Sequence, residues 1–132
     1  MLLAISGLYI SLTALLIITL AYRVIKLRRV HKIGIGSSGN ETLSLARRVH
    51  ENLLENAPIA MLLFVVAESN GTSAAVLHCF GTLWLVSRLM HAIGLTQGKG
   101  GYHFGRFWGV LMTWAVIVGL VVVNLIAYVT NL

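Results

Sequence analysis

Apolar residues along this chain fall into four blocks separated by polar breaks, and the length of each block decides what it can become. Leu2 to Ala21 is a 20-residue stretch with no charge, interrupted only by Ser6, Gly7, Ser11, Thr13 and Thr19. Roughly 20 apolar residues in a helix cross a hydrocarbon core about 30 Å thick. A cleaved leader would carry positive residues before its apolar run and small residues after it. Here Arg23, Lys26, Arg28 and Arg29 follow the run, so it reads as a retained first helix. The second block, Ala57 to Ala67, is purely apolar for eleven residues, too short to cross alone. Extended back through residues 43–56 it becomes a helix whose first turns are polar. The third block, about Ser73 to Leu95, contains His78, Arg88 and His91. The fourth, about Phe104 to Tyr128, has Asn124 as its only strongly polar interior residue.

The pattern therefore predicts an all-α fold, an integral membrane four-helix bundle, with helices at about 2–27, 42–68, 73–96 and 104–130 in a single domain spanning 1–132. A polar loop (about 28–42), a tight turn at Glu68–Gly71 and a glycine-rich loop at Thr96–Gly101 connect them. Asn70-Gly71 is favourable turn chemistry. Composition agrees: apolar residues make up 58% of the chain, charged residues 11%, and mean hydropathy is +0.87. Soluble domains run at about 45–50% apolar and about 25% charged, and disorder needs low hydrophobicity with high net charge. With the single cysteine Cys79 there is no intramolecular disulfide, and nothing resembles a metal site.

A net charge of +6 raises nucleic acid as a partner, but the placement of the charge points elsewhere. All ten basic residues lie at or near the first-to-second or third-to-fourth connection. Lys and Arg accumulate in cytoplasmic loops. Both termini are accordingly expected outside, in the periplasm of a bacterium, with both basic loops cytoplasmic beside anionic lipid headgroups and no nucleic-acid role.

The informative segment precedes the second apolar block. At 100° per residue Arg48, Asn52 and Glu55 stand at i, i+4 and i+7 and share one helix face. Arg47 and Glu51 read as an ordinary i,i+4 ion pair, worth about 0.2–0.5 kcal/mol. Intrahelical pairing of Arg48 with Glu51 or Glu55 is a possible use of the stripe as well. An ionisable group near membrane depth, such as Glu55, is nevertheless a functional-site candidate, because it is costly unless it faces a bundle interior or wet cavity. Pro58 lacks an N–H deep in the helix and invites a kink. Arg88 and His91, at i and i+3, share a face near the end of the third helix, and Arg106 opens the fourth. An arginine there opposes the helix dipole, so another interaction should hold it. Arginine forks suit carboxylates, and the set suits a small polar ligand with two carboxylates and an amine. His78, Cys79, Trp84, Trp108, Trp114 and Tyr128 read as packing or interfacial residues, and Gly7, Ser11, Gly81 and Gly109 as sites of close helix contact.

Arg48-Val49-His50-Glu51-Asn52-Leu53-Leu54-Glu55-Asn56-Ala57-Pro58 resembles the signature of the MAPEG family (membrane-associated proteins in eicosanoid and glutathione metabolism), roughly Arg-Ala-x-x-Asn-x-x-Glu-x-x-Pro. The four-span frame, the basic segment after the first helix, Arg88-Leu89-Met90-His91 and Arg106 extend the likeness over nearly the whole chain, nearest to the short bacterial members. The resemblance implies an inner-membrane homotrimer binding glutathione between subunits on the cytoplasmic side. It implies that Arg48 and Asn52 bind the peptide, that Glu55 holds its amino group and that Lys26 or Arg28 grips a carboxylate. It implies further that Arg88 and His91 lie near the same pocket and that Arg106 stabilises the thiolate. A free thiol has a pKa near about 8.5, which a neighbouring arginine lowers. The thiolate would attack a lipophilic electrophile or reduce a hydroperoxide, with no metal. Departures are Leu95 where the family commonly has tyrosine, Val49 for alanine and Lys26 for arginine. Tyr102 and His103 could replace the missing hydroxyl. The implied activity is a glutathione transferase or peroxidase similar to the microsomal enzyme. The alternatives are a non-catalytic binding or scaffold protein with another ligand and, less favoured, a small transporter, since the first helix carries no charge for proton coupling.

Overall fold

The computed structural model describes residues 3–130, and they form four helices in sequence. These are α1 (Ala4–His31), α2 (Glu41–Ser69), α3 (Ala74–Gln97) and α4 (Phe104–Thr130). At about 1.5 Å per residue each runs roughly 36–44 Å, longer than a bilayer's hydrocarbon core. All four are apolar enough to cross a membrane. Leu15, Ile18, Leu62, Val118, Leu125 and Val129 remain exposed on the outside of the bundle. In water that surface would be an aggregation patch; in a bilayer it meets its own kind.

Buried positions follow helical spacing. On α2 they are Leu43, Ala46, Val49, Leu53, Ala57, Ala60, Phe64 and Ala67, and on α3 they include Leu77, Gly81, Trp84, Arg88, His91 and Leu95. Helix α1 runs a turn past the predicted end near residue 27. Arg28, Arg29 and His31 in its last turn favour the negative end of the dipole. Lys32 then closes it in the left-handed region at φ 55°, its N–H donating to Arg28 O. Helix α2 starts at Asn40, whose Oδ1 accepts from Leu43 N at 2.9 Å. It continues unbroken through Pro58.

Polar groups tie the helices together. The Trp84 indole donates to Thr13 Oγ1 at 3.0 Å, joining α3 to α1. Tyr9 lies over Gly81, where a Cβ would strike its ring, and donates to His78 O at 3.2 Å. Asn124 Nδ2 donates to Leu63 O at 3.0 Å, which accounts for the polar residue inside α4. Glu68 does more than end α2: its carboxylate accepts from Ile5 N at 3.0 Å and Ser6 N at 2.6 Å. An anion from one helix thus caps the exposed N–H groups of another.

The tightest contact is α3 against α4. Gly94 faces the backbone of Gly105 and Arg106, while a Cβ on Gly109 would stand 2.7 Å from His91 N and 2.8 Å from Ser87 O. Small residues four apart let the two backbones meet. Gly7, by contrast, has open space around it within the protomer.

Two outcomes follow for thermal unfolding in detergent. Gly109→Leu lowers Tm strongly because backbone cannot yield as a side chain can, whereas Gly7→Leu leaves the fold of the protomer intact. Glu68→Ala costs about 1–2 kcal/mol and raises amide exchange at Ile5 and Ser6; unchanged exchange there would contradict the capping role.

Candidate functional site

Arg88 is 2% exposed, on the face of α3 that points into the bundle. Its Nη2 donates to Asn52 Oδ1 at 2.5 Å, its Nη1 donates to Thr113 Oγ1 at 3.0 Å, and His91 Nδ1 lies 3.2 Å from Nη2. A guanidinium can only donate, so that nitrogen of His91 is the acceptor and its proton sits on Nε2. The guanidinium also lies 5.9 Å from the Trp84 ring centre. Its Nε has no partner. Thr113 donates onward to Gly109 O at 2.8 Å, and Ser87 braces it at 3.0 Å. These partners are neutral. Among the described residues the ion pairs are Arg47–Glu51 at 3.3 Å and Arg48–Glu55 at 2.9 Å, both on the surface of α2. Arg88 is therefore a buried cation with no carboxylate, and the site carries uncompensated positive charge.

A cavity of about 260 Å³ opens beside it, lined by Asn52, Glu55, Asn56, Arg88 and Thr113 with Val110 and Trp114. A second, wider cleft of about 360 Å³ lies on the other side of Val110 and Trp114, which line both. Its remaining walls include Tyr102, His103, Arg106, Phe107 and Leu111. The first compartment is rich in polar groups and the second is mainly apolar. They share one wall.

Arg106 sits in the first turn of α4, where the dipole repels it, and the loop carbonyls compensate. Its Nη1 donates to Gly100 O and, at 2.9 Å, to Gly101 O. The interaction sought from the sequence is thus the glycine loop, whose residue Gly100 has φ +81°. His103 caps α4: its Nδ1 accepts from Gly105 N at 3.1 Å.

Within one protomer the fold brings Asn52, Glu55 and Arg88 to the polar cavity. Arg48 stands behind Glu55 and His91 behind Arg88. Arg106 borders the neighbouring cleft. Lys26 is exposed on the end of α1, and Arg28 staples its own loop through Ile33 O, Gly34 O and Gly36 O. Neither lines the polar cavity. Sequence reasoning missed Asn56, Thr113, Val110 and Trp114. Asn56 was visible one turn from Asn52, and Thr113 as a hydroxyl within an apolar run.

The sequence matches the MAPEG family over residues 6–126. It is also 34% identical over 125 residues to the inner membrane protein YecN of Escherichia coli K12, covering 92% of this chain and 90% of that protein. YecN of Escherichia coli O6:H1 matches to the same extent.

The geometry separates surface pairs from the buried network. Arg48→Met or Glu55→Gln changes unfolding free energy by less than about 1 kcal/mol, since the pair is half exposed. Thr113→Val leaves a buried donor of Arg88 unpaired and costs about 1–3 kcal/mol. Denaturant unfolding in mixed micelles checks the ordering, and equal losses would contradict it.

Proposed function

The chain belongs to the MAPEG family, and on that premise we propose that it is a glutathione-dependent transferase or peroxidase acting on lipophilic electrophiles or hydroperoxides. The observation that carries the proposal is the shared wall of Val110 and Trp114 between a polar cavity and an apolar cleft. A tripeptide with charged ends suits the first compartment, and a bilayer-soluble substrate suits the second. Asn52 and Arg88 supply donors and positive charge for a carboxylate, Glu55 an anion for the amine, and Arg48 and His91 hold these groups in place. Arg106, which borders the cleft, would stabilise the sulfur as a thiolate. In transfer, the thiolate sulfur bonds to an electrophilic carbon while a leaving group departs with its electron pair, or it adds to an activated double bond whose resulting carbanion takes up a proton from water. In peroxide reduction, two glutathiones become the disulfide while the hydroperoxide becomes an alcohol and water.

Assembly belongs to the same proposal. In a homotrimer, Lys26 or Arg28 of a neighbouring subunit would reach the ligand that its own protomer's cavity does not offer it. The relative's name supports placement in the inner membrane, and the charge bias supports an orientation with termini outside and basic loops cytoplasmic. Two observations favour the alternative of a binding protein without catalysis. Leu95 is buried and has no hydroxyl to offer, and the Arg106 guanidinium is engaged by loop carbonyls.

Ultraviolet difference absorbance decides between them. On mixing with glutathione, the purified protein should give a saturable thiolate band that Arg106→Ala abolishes while remaining folded. A folded assembly that gives no band at saturating glutathione would sink the enzyme reading.

A further inference from the structure

All four acidic residues of the chain lie on α2, and among the described residues both ion pairs are internal to that helix. The cations of α1 and of the turn after α3 therefore meet no carboxylate. One of them is not an ordinary solvated charge. Arg23 is half-buried just past the apolar block of α1, and its Nη1 donates to Thr96 Oγ1 of α3 at 3.1 Å. Thr96 Oγ1 donates in turn to Ala92 O at 2.8 Å, while Thr96 O accepts from the backbone N–H of Lys99 at 3.3 Å. Thr96 thus holds the side chain of one cation and the backbone of another at the same end of the α1–α3 seam. Lys26, exposed three residues after Arg23, adds to the positive field. A single N–H of the Arg23 fork is engaged among the described residues, and the rest of a guanidinium fork matches phosphate oxygens.

Tyrosines mark the level of these charges in a bilayer. Tyr22, beside Arg23, and Tyr102, just past Lys99, are both exposed, and such rings gather at the depth of the headgroups. Toward the membrane interior the surface turns apolar. Leu12, Thr19 and Arg23 stand at i, i+7 and i+11 on α1, and Leu89, Ile93 and Thr96 at i, i+4 and i+7 on α3, so each helix carries its polar end into an exposed apolar face. The Thr19 hydroxyl donates to its own helix at Leu15 O and makes no demand on a lipid tail. We propose that the α1–α3 seam binds one anionic phospholipid of the leaflet facing the basic loops, its phosphate at Arg23 and Lys99 and its acyl chains along Leu12, Leu89 and Ile93. Charge complementarity selects this occupant, because a zwitterionic headgroup would bring a further cation to a place that holds only cations. A second copy of this chain could offer only the acids of α2, of which Glu51 and Glu55 are paired and Glu68 caps α1. Neither Arg23 nor Lys99 lines the polar cavity or the cleft, so the proposal stands apart from the glutathione reading.

Native mass spectrometry of the full chain, released from detergent, tests this with phosphatidylglycerol and phosphatidylcholine of the same acyl chains. Each cation near an anionic headgroup is worth about fivefold in affinity. The wild type should therefore bind phosphatidylglycerol at least about tenfold more tightly than phosphatidylcholine. Arg23→Gln, whose amide can still donate to Thr96, and Lys99→Gln should each weaken phosphatidylglycerol about fivefold and narrow its preference over phosphatidylcholine. Lys32→Gln, at the far end of α1, should weaken it by less than about twofold. Equal binding of the two lipids by the wild type would overturn the proposal. So would an equal loss in Lys32→Gln and Arg23→Gln, which marks diffuse charge in place of a site. Displacement of the lipid by glycerol phosphate at the same concentration would assign the seam to a free phosphate. A changed oligomeric state in Arg23→Gln with lipid binding intact would assign it to a second copy, and either result contradicts the lipid site. If Arg23→Gln fails to fold, Lys99→Gln, on an exposed turn, decides the matter alone.

Discussion

A guanidinium buried in a membrane helix costs several kcal/mol unless its donors are met, and Arg88 has both terminal nitrogens bonded, with Nε left unpartnered, without a single carboxylate. Its partners come from three helices: Asn52 on α2, His91 and the Trp84 ring on α3, and Thr113 on α4. Asn52 and Thr113 reach Arg88 only when α2 and α4 hold one register against α3. Thr113 comes within 3.0 Å because Gly109, one turn earlier, lets α4 lie against the α3 backbone. The glycine surface and the polar network are one device, the first setting the distance and the second specifying the register.

That device also divides the bundle. Away from Arg88, the helices are joined by neutral or capping contacts, such as Trp84 with Thr13, Asn124 with Leu63 and Glu68 with the start of α1. These hold shape and leave no charge over. At the other end a positive charge is left over, beside a cavity that Glu55 also lines. An unpaired buried cation in this position favours an anion beside it. The same helix α4 that supplies Thr113 also supplies Val110 and Trp114, the wall between the polar cavity and the apolar cleft. Both compartments thus depend on the seating of one helix.

Much of this was legible in the chain. Uninterrupted apolar blocks fix membrane helices because a bilayer leaves backbone polar groups no other partners. Arg47 with Glu51 was readable from i,i+4 spacing, and the shared face of Arg48, Asn52 and Glu55 from helical periodicity. What that face does was not. Arg48 and Glu55 bond to each other, while Asn52 reaches a residue 36 positions away, and periodicity says nothing about contacts between helices. Glu68 looked like part of a local turn because its donors lie 62 and 63 residues earlier. Gly7 and Gly109 are alike as letters, and only the approach of α3 distinguishes them. Thr113 escaped notice because a hydroxyl in an apolar helix normally bonds its own backbone, which it does, while also accepting from Arg88.

The central claim is that Asn52 and Arg88 form one energetic unit across two helices. A double-mutant cycle with Asn52→Ala and Arg88→Met, read by equilibrium unfolding in bicelles, tests it most directly. The account predicts that the two losses are far from additive, with a coupling of about 1.5–3 kcal/mol as befits a hydrogen bond to a buried charge. Additivity within about 0.5 kcal/mol would contradict it.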